Sequence, residues 1–404
     1  MKNPASNNNN IILIQLVFTL PLLLSHSICH AASQNNYFDN MAFSFKPTLL
    51  IEQLYTDNLT YSEANRISTW GTLLSPSIKL GLQKDSKTAT IHYQAHKAEY
   101  YGSSSDDYLD HQIQGKLKFQ ASQRTNMQFF ALYGRKHEAR GTGYSIGIAD
   151  QLSQNDELRE YQTGTVINYG SPQSIGRIEL KLNAHAARLD NRPGAGQFAN
   201  QNNYHGSLAF FYQLKTNTLL FVEANSTKNK FNLLNGSNSL NNLDTRVYAG
   251  TSWDATALTT GTFKLGVSHK RFSNKEKGNS SGFVWDLGVR WHPLQTTWFD
   301  IATQSHTEET SGNGDYVQTT KISSTVTHQW LQLLQTSLNL SAVKDTYQPT
   351  DQEQGTWHIQ AEVNYQIHHR IKIGASITHQ ERLSTKSGHD FKRNIGKLSL
   401  SLNT

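Results

Sequence analysis

The sequence predicts an all-β fold, a transmembrane antiparallel β-barrel of about eighteen strands with short periplasmic turns and longer external loops. Three observations carry this prediction. Segments of about ten residues alternate apolar and polar side chains, the right length for a tilted crossing. The connections between them alternate short and long, and aromatic residues mark the ends of the apolar parities.

The stretch Gly282–Pro293 shows the pattern most clearly. Phe283, Trp285, Leu287, Val289 and Trp291 share one parity, and Asp286, Gly288, Arg290 and His292 the other. A period of two means a strand with unlike faces, and indole rings settle at the two interfaces of a bilayer. In the same way Trp357, Ile359, Val363 and Tyr365 oppose His358, Gln360, Glu362 and Asn364, while Ile178, Leu180 and Leu182 oppose Glu179, Lys181 and Asn183. In Asn126–Glu138 both parities carry large apolar residues, so the inner face of that strand is not assigned.

Composition narrows the class. The chain has 404 residues of which only 36% are hydrophobic, which excludes a bundle of membrane helices. A barrel escapes that limit because only alternate residues face lipid. The 37 Lys and Arg outnumber 31 Asp and Glu, but they are scattered, so no nucleic-acid partner is expected. The single cysteine, Cys29, lies near the N-terminus.

Taken in order, the chain opens on Lys2 and an Asn run, followed by apolar Ile11–Leu24, too short to span a bilayer as a helix, and by small Ala31 and Ala32. Residues 1–31 therefore read as a signal peptide, 32–41 as a short periplasmic segment and 42–404 as the barrel. Strands are expected from Phe43–Tyr55 to Phe391–Leu402, with ends at His306, Val343 and His379 among those between. Tight turns fall at 83–87, 121–125, 171–175, 293–296, 329–332 and His368–His369, alternating with long polar loops such as 57–69, 140–157, 191–203 and 274–281. An even strand number returns both termini to the periplasm.

If the apolar parity faces lipid, the other lines the lumen. It places Lys46, Glu52, Lys79, Lys116, Lys118, Lys181, Arg246, Lys264, Asp286, Arg290, His292, His358 and Glu362 in a wall of mixed sign, richer in cations. The loop 140–157, the third external one, is expected by analogy with the third loop of diffusion porins to fold inward over Tyr144–Leu152, Asp150 included, and to narrow the pore; the alternative is a loop that caps the barrel outside. Catalysis has no sequence support: there is no Gly-x-Ser-x-Gly elbow. The adjacent His368 and His369 project from a turn on divergent faces, with no third ligand nearby. Gly141, Gly143 and Gly147 lack the strand and helix context of a phosphate-binding loop. No enzyme, metal or cofactor is expected.

Three patches near the start carry a resemblance: Lys46-Pro47-Thr48 followed by Tyr55-Thr56-Asp57-Asn58; Leu74-Ser75-Pro76-Ser77-Ile78; and Asp106-Asp107-Tyr108-Leu109-Asp110-His111. With these, the chain resembles the outer-membrane β-barrel porins found in exopolysaccharide loci, and the strand rhythm extends the likeness to the end. The resemblance implies a barrel in a Gram-negative outer membrane that exports polysaccharide beside a periplasmic polysaccharide export protein. Its other partners would be outer-membrane lipid, lipopolysaccharide and the barrel-assembly machinery. A general or oligosaccharide diffusion porin is the alternative. One departure stands out: the chain finishes on Leu402-Asn403-Thr404, without the terminal aromatic that the assembly machinery reads.

Overall fold

The computed structural model describes residues 41–403 except 172–173, 193–195, 233–239 and 257; the expected signal peptide lies outside the described residues. Eighteen strands follow in chain order. They are β1 (Ala42–Thr56), β2 (Thr69–Lys84), β3 (Lys87–Tyr100), β4 (Tyr108–Ser122), β5 (Thr125–Glu138) and β6 (Asp156–Tyr169). Next come β7 (Gly176–Leu189), β8 (Gln201–Lys215), β9 (Thr218–Phe231), β10 (Asn242–Thr256), β11 (Thr259–Phe272) and β12 (Ser280–Leu294). The last six are β13 (Thr297–Glu309), β14 (Tyr316–Leu331), β15 (Leu334–Gln348), β16 (Glu353–His368), β17 (Ile371–Ser384) and β18 (Phe391–Asn403).

Each strand pairs antiparallel with its neighbours in sequence, and β1 closes on β18 from Thr48↔Asn403 to Thr56↔Ile395. Closure removes both free edges, the condition for a sheet to stand in hydrocarbon where no water can satisfy an open strand. Several strands run past their expected ends, β13 to Glu309, β15 to Gln348 and β17 to Ser384. All three extensions are external. There the ladder continues in water, where alternation is no longer enforced, so a period of two cannot reveal it.

One row of hydrogen-bonded partners fixes the barrel in the bilayer. It runs Trp291, Phe299, Val326, Leu338, Ala361, Ile377, Gly396, Tyr55, Trp70, from beside a tight turn to beside an external loop. At about 4.8 Å per strand the row is about 38 Å long; on strands tilted by about 40° it climbs about 25 Å, the height of the apolar band of such barrels. Aromatic residues stand at both ends. The parity containing this row also carries most of the exposed large apolar residues, among them Ile91, Leu182, Val222, Leu265, Phe283, Ile359 and Leu398, and is the lipid face.

Large side chains on the opposite parity need room. In β5, whose inner face the alternation left open, Phe130 lies on the inner parity and its ring occupies the place of a side chain on Gly164. A Cβ there would meet Phe130 Cζ at 2.6 Å and the Leu182 carbonyl at 2.7 Å.

The apolar core is not a central layer. Its two clusters lie inside the external mouth: Leu158, Leu189 and Ala199 packed by Tyr144, and Phe231, Leu240 and Phe272 packed by Phe198 and Tyr316. The second cluster accompanies a break in the wall. The β12–β13 ladder is formed from Trp285↔Ser305 downward, but Ser280–Val284 have no partners on β13. Above Ser305 the β13–β14 hairpin leans inward. Its outer parity (Ser305, Thr307, Glu309) is turned onto the inner face of β9–β11, and Phe283, left beside the gap, is 82% exposed.

Candidate permeation pathway

The periplasmic half of the lumen has two unlike sides. On the side of β7–β14 a cavity of about 740 Å³ is lined by Glu179, Lys181, Glu223, Lys264, Asp286, Arg290 and Asp300, among others. Its charges are paired. Lys181 meets Glu179 at 2.7 Å, Lys264 lies 3.4 Å from Glu223 and 3.7 Å from Asp286, and Arg290 grips Asp300 through Nε at 2.6 Å and an Nη at 3.0 Å. Lys181 and Glu179 pair along β7 and the others across neighbouring strands, so that charges alternate in sign and little net charge remains.

The side of β1–β4 differs. Lys46 stands directly opposite Lys79, Lys79 opposite His92, and Lys116 and Lys118 opposite Thr90 and Thr88. These four lysines are exposed, and none has an ion pair among the described residues. Like charges set directly across a ladder destabilise it, so the row is not explained as a device for holding strands together. Between the two sides, Glu52 pairs with Lys397 at 3.0 Å and Glu362 accepts a hydrogen bond from Asn364 at 2.7 Å. His358 shares the inner parity of β16, and His292 sits at the periplasmic rim, stacked near Trp298.

Arg246 is placed elsewhere. It binds Asp244 at 2.7 Å and the Thr307 carbonyl at 2.7 Å, so it fastens the inward-leaning hairpin and does not face the open lumen. Thr307 in turn donates to Asp244 at 3.0 Å. Above it Glu309 receives Lys270 at 2.5 Å and the amides of Asn229 and Asn242 at 2.7 and 2.8 Å. Lys270 is 1% exposed, the most buried cation described.

The loop 140–157 closes in from the other side. Arg140 donates to Asp106 at 2.8 and 2.5 Å. Asp150 accepts from Asn65 at 2.7 Å, and Tyr144 lies in the first apolar cluster, its phenol pushed up to about 12 by burial. The Gly141 carbonyl accepts a hydrogen bond at 3.3 Å from Arg382, on the inner parity of distant β17. Gly141 itself has φ +83, and a Cβ there would lie 2.1 Å from the Thr60 carbonyl; only glycine lets the two loops cross. Tyr61 joins them, edge-on to Phe391 and under the Arg393 guanidinium. Loops from both sides thus occupy the mouth.

Residues 42–404 match the family described as Putative beta-barrel porin 2. The chain belongs to this family. It is a porin barrel of the Gram-negative outer membrane. A search of curated protein sequences finds no match. Among solved structures the porin is similar to Pseudomonas aeruginosa OpdK determined with vanillate, at TM-score 0.51 and 11% identity over 89% of this chain and 99% of that one. It is likewise similar to Pseudomonas aeruginosa OccK2 (OpdF) in complex with glucuronate, at TM-score 0.50 and 11% identity over 89% and 98%. At this identity the likeness is one of fold.

Alternation alone misses the residues that shape the porin's mouth. Glu309 and Thr307 carried a readable signal: the outer parity of β13 passes from Phe299 and Ile301 to Thr303, Ser305, Thr307 and Glu309, turning polar where lipid would still require apolar groups. Arg382 and His389 carried none, because what they meet in the 140–157 loop, the Gly141 carbonyl and Gly147, is remote in sequence.

His389 is expected to give the porin's mouth a pH dependence. It lies against Gly147 of the 140–157 loop and is held down to about 4, first by burial and then by Lys386 and Arg382, with Asp390 opposing. The docked state therefore binds the neutral ring. Docking is intact above about 6.5, weakens as pH falls below it, and has lost this contribution below about 4. Single-channel conductance is expected to rise between pH 7 and pH 4, and to stay flat in His389→Gln; an equal rise in the variant would remove His389 from the account. The faces are tested separately. A water-soluble thiol reagent should label Arg290→Cys and not Leu287→Cys, and the reverse would mean that the wall is inside out.

Proposed function

We propose that the porin is a diffusion channel for small hydroxylated anions, acidic sugars being the type. The observation that carries this reading is the inner row Lys46, Lys79, Lys116 and Lys118, which has no ion pair among the described residues and faces the paired ladder across the lumen. A carboxylate would be attracted to one side while its hydroxyls exchange hydrogen bonds with Glu179, Glu223, Asp286 and Asp300 on the other. The ligands named for the two similar porins, vanillate and glucuronate, both bear a carboxylate, which agrees with that reading. No cofactor takes part.

Exopolysaccharide export with a periplasmic partner, expected from the resemblance, is supported less. A polymer in transit needs a wide mouth along its whole path, and this mouth holds two apolar clusters and buried ion pairs. Deleting the gene decides between them: slower uptake of acidic sugars with surface polymer unchanged supports diffusion, and loss of polymer with unchanged uptake sinks it. At the level of residues, Lys46→Gln, Lys79→Gln and Lys116→Gln combined should shift the reversal potential in a salt gradient toward cations. The anion-to-cation ratio should fall several-fold at low ionic strength, with less change in concentrated salt.

A further inference from the structure

Cations on the outer parity near the external rim are usually neutralised in this barrel. Lys97, Arg135, Arg159, Lys344 and Lys392 each hold a carboxylate at 2.5 to 3.0 Å. Arg188 is held instead by the Gln201 carbonyl at 2.8 Å and Asn202 Oδ1 at 2.6 Å, and only the sector of β9–β11 leaves its outer cations without a carboxylate or a hydrogen-bond acceptor among the described residues. Lys228, Lys230 and Arg271, all on the outer parity and exposed, have no ion pair among the described residues, and neither has Lys275 in the loop above. Residues 233–239, which complete the neighbouring loop, contain no Asp or Glu in sequence. Together with five asparagines these cations line a pocket of about 670 Å³ that has no carboxylate in its wall.

Height identifies the occupant. Thr259 is the partner of Trp291 at the periplasmic end of the apolar band. By the rise and tilt of the strand, Arg271 lies about 30 Å above Thr259, a few ångströms beyond a band about 25 Å tall. Lys228 and Arg271 flank Leu243 in one row, about 10 Å apart across two strand spacings. The Lys230 ammonium lies 5.8 Å from the ring of Tyr204, an exposed outward tyrosine of the kind that settles at the interface. The cations thus stand where headgroups meet the protein, over an apolar wall that would accept acyl chains.

We propose that this pocket binds the phosphate groups of outer-leaflet lipopolysaccharide, with Lys228, Lys230 and Arg271 as the ligands of a phosphorylated lipid headgroup. Guanidinium and ammonium donors are suited to phosphate oxygens, and the unpaired state of this sector alone is explained by an anion that the surrounding leaflet supplies. The site is on the outside of the wall and does not depend on which solute the lumen passes.

The test uses the whole porin, purified and refolded in lipid-free detergent. Phosphorylated lipid A added in micelles should raise its unfolding temperature, while the dephosphorylated form and inorganic phosphate alone should not. Lys228→Gln, Lys230→Gln and Arg271→Gln combined should weaken retention of lipid A, read by native mass spectrometry, by about tenfold or more, as expected when several charge-assisted contacts are lost together. Lys97→Gln with Lys392→Gln should retain it fully. Equal protection by dephosphorylated lipid A would reduce the site to an acyl groove, and equal protection by inorganic phosphate would make it a free-anion site; either overturns the proposal. So does undiminished retention by the triple variant. The comparison of lipids on the unaltered chain decides the matter even if that variant fails to fold.

Discussion

Deleting residues 142–151 raises single-channel conductance several-fold while the barrel still inserts. The expectation follows from where the loop is attached. The deleted residues hold the mouth through Asp150 on Asn65 and Tyr144 in its apolar cluster, neither of which belongs to the wall's ladder. Glu138 and Asp156, where β5 ends and β6 begins, are themselves partners, so a shorter connection that keeps Gly141 can replace the loop without disturbing the register. Tyr144→Ala should act in the same direction and less strongly, because the polar contacts remain. Unchanged conductance after the deletion, in protein that still runs as a folded barrel on gels, would show that the loop caps the mouth without narrowing it.

Glu309→Leu is the most damaging single change expected in the porin. It strips the partner from Lys270, a loss of about 3–5 kcal/mol for a buried ion pair. It also leaves the amides of Asn229 and Asn242 short of an acceptor, at about 1–3 kcal/mol for each group that water cannot reach. Asp244, 3.9 Å from the Lys270 ammonium, offsets part of the first loss, so a total near the low end is expected. Lys270→Met should cost less, since the carboxylate keeps both amide donors and Asp244 keeps Arg246. Urea unfolding in detergent checks the order; Lys270→Met as the worse of the two would mean that the cation and not the carboxylate organises the hairpin.

These two regions also mark the limit of what the sequence discloses. The wall was legible because hydrocarbon enforces it residue by residue: Phe283, Trp285, Leu287 and Val289 must alternate with something, and that something must face water. Eighteen strands were expected and eighteen are present among the described residues, although in β5, apolar on both parities, the rule left the inner face open. The inward direction of the 140–157 loop was an expectation by analogy with the third loop of diffusion porins, and the contacts that hold it come from residues as remote as Arg382. The bend of β13–β14 was overlooked, although its polar outer parity announced it. The reason is physical. A strand read by itself shows which face is polar, but not that the polar face is turned onto another wall. Lys181 and Arg290 teach the same lesson, since their carboxylate partners lie at positions that parity assigns inward without saying which charges meet.

The closing seam has a consequence for how the molecule is made. β1 reaches β18 only over Thr48–Thr56, and the two stretches are separated by nearly the whole chain. Every other pairing joins neighbours in sequence and can form as soon as its hairpin exists, whereas this one must wait for all the others and bear the loop-closure entropy last. Until then the nascent sheet has two open edges, each a template for another chain. Closure is therefore expected to be the slow step, and the unclosed sheet just before it the species most open to pairing with another chain.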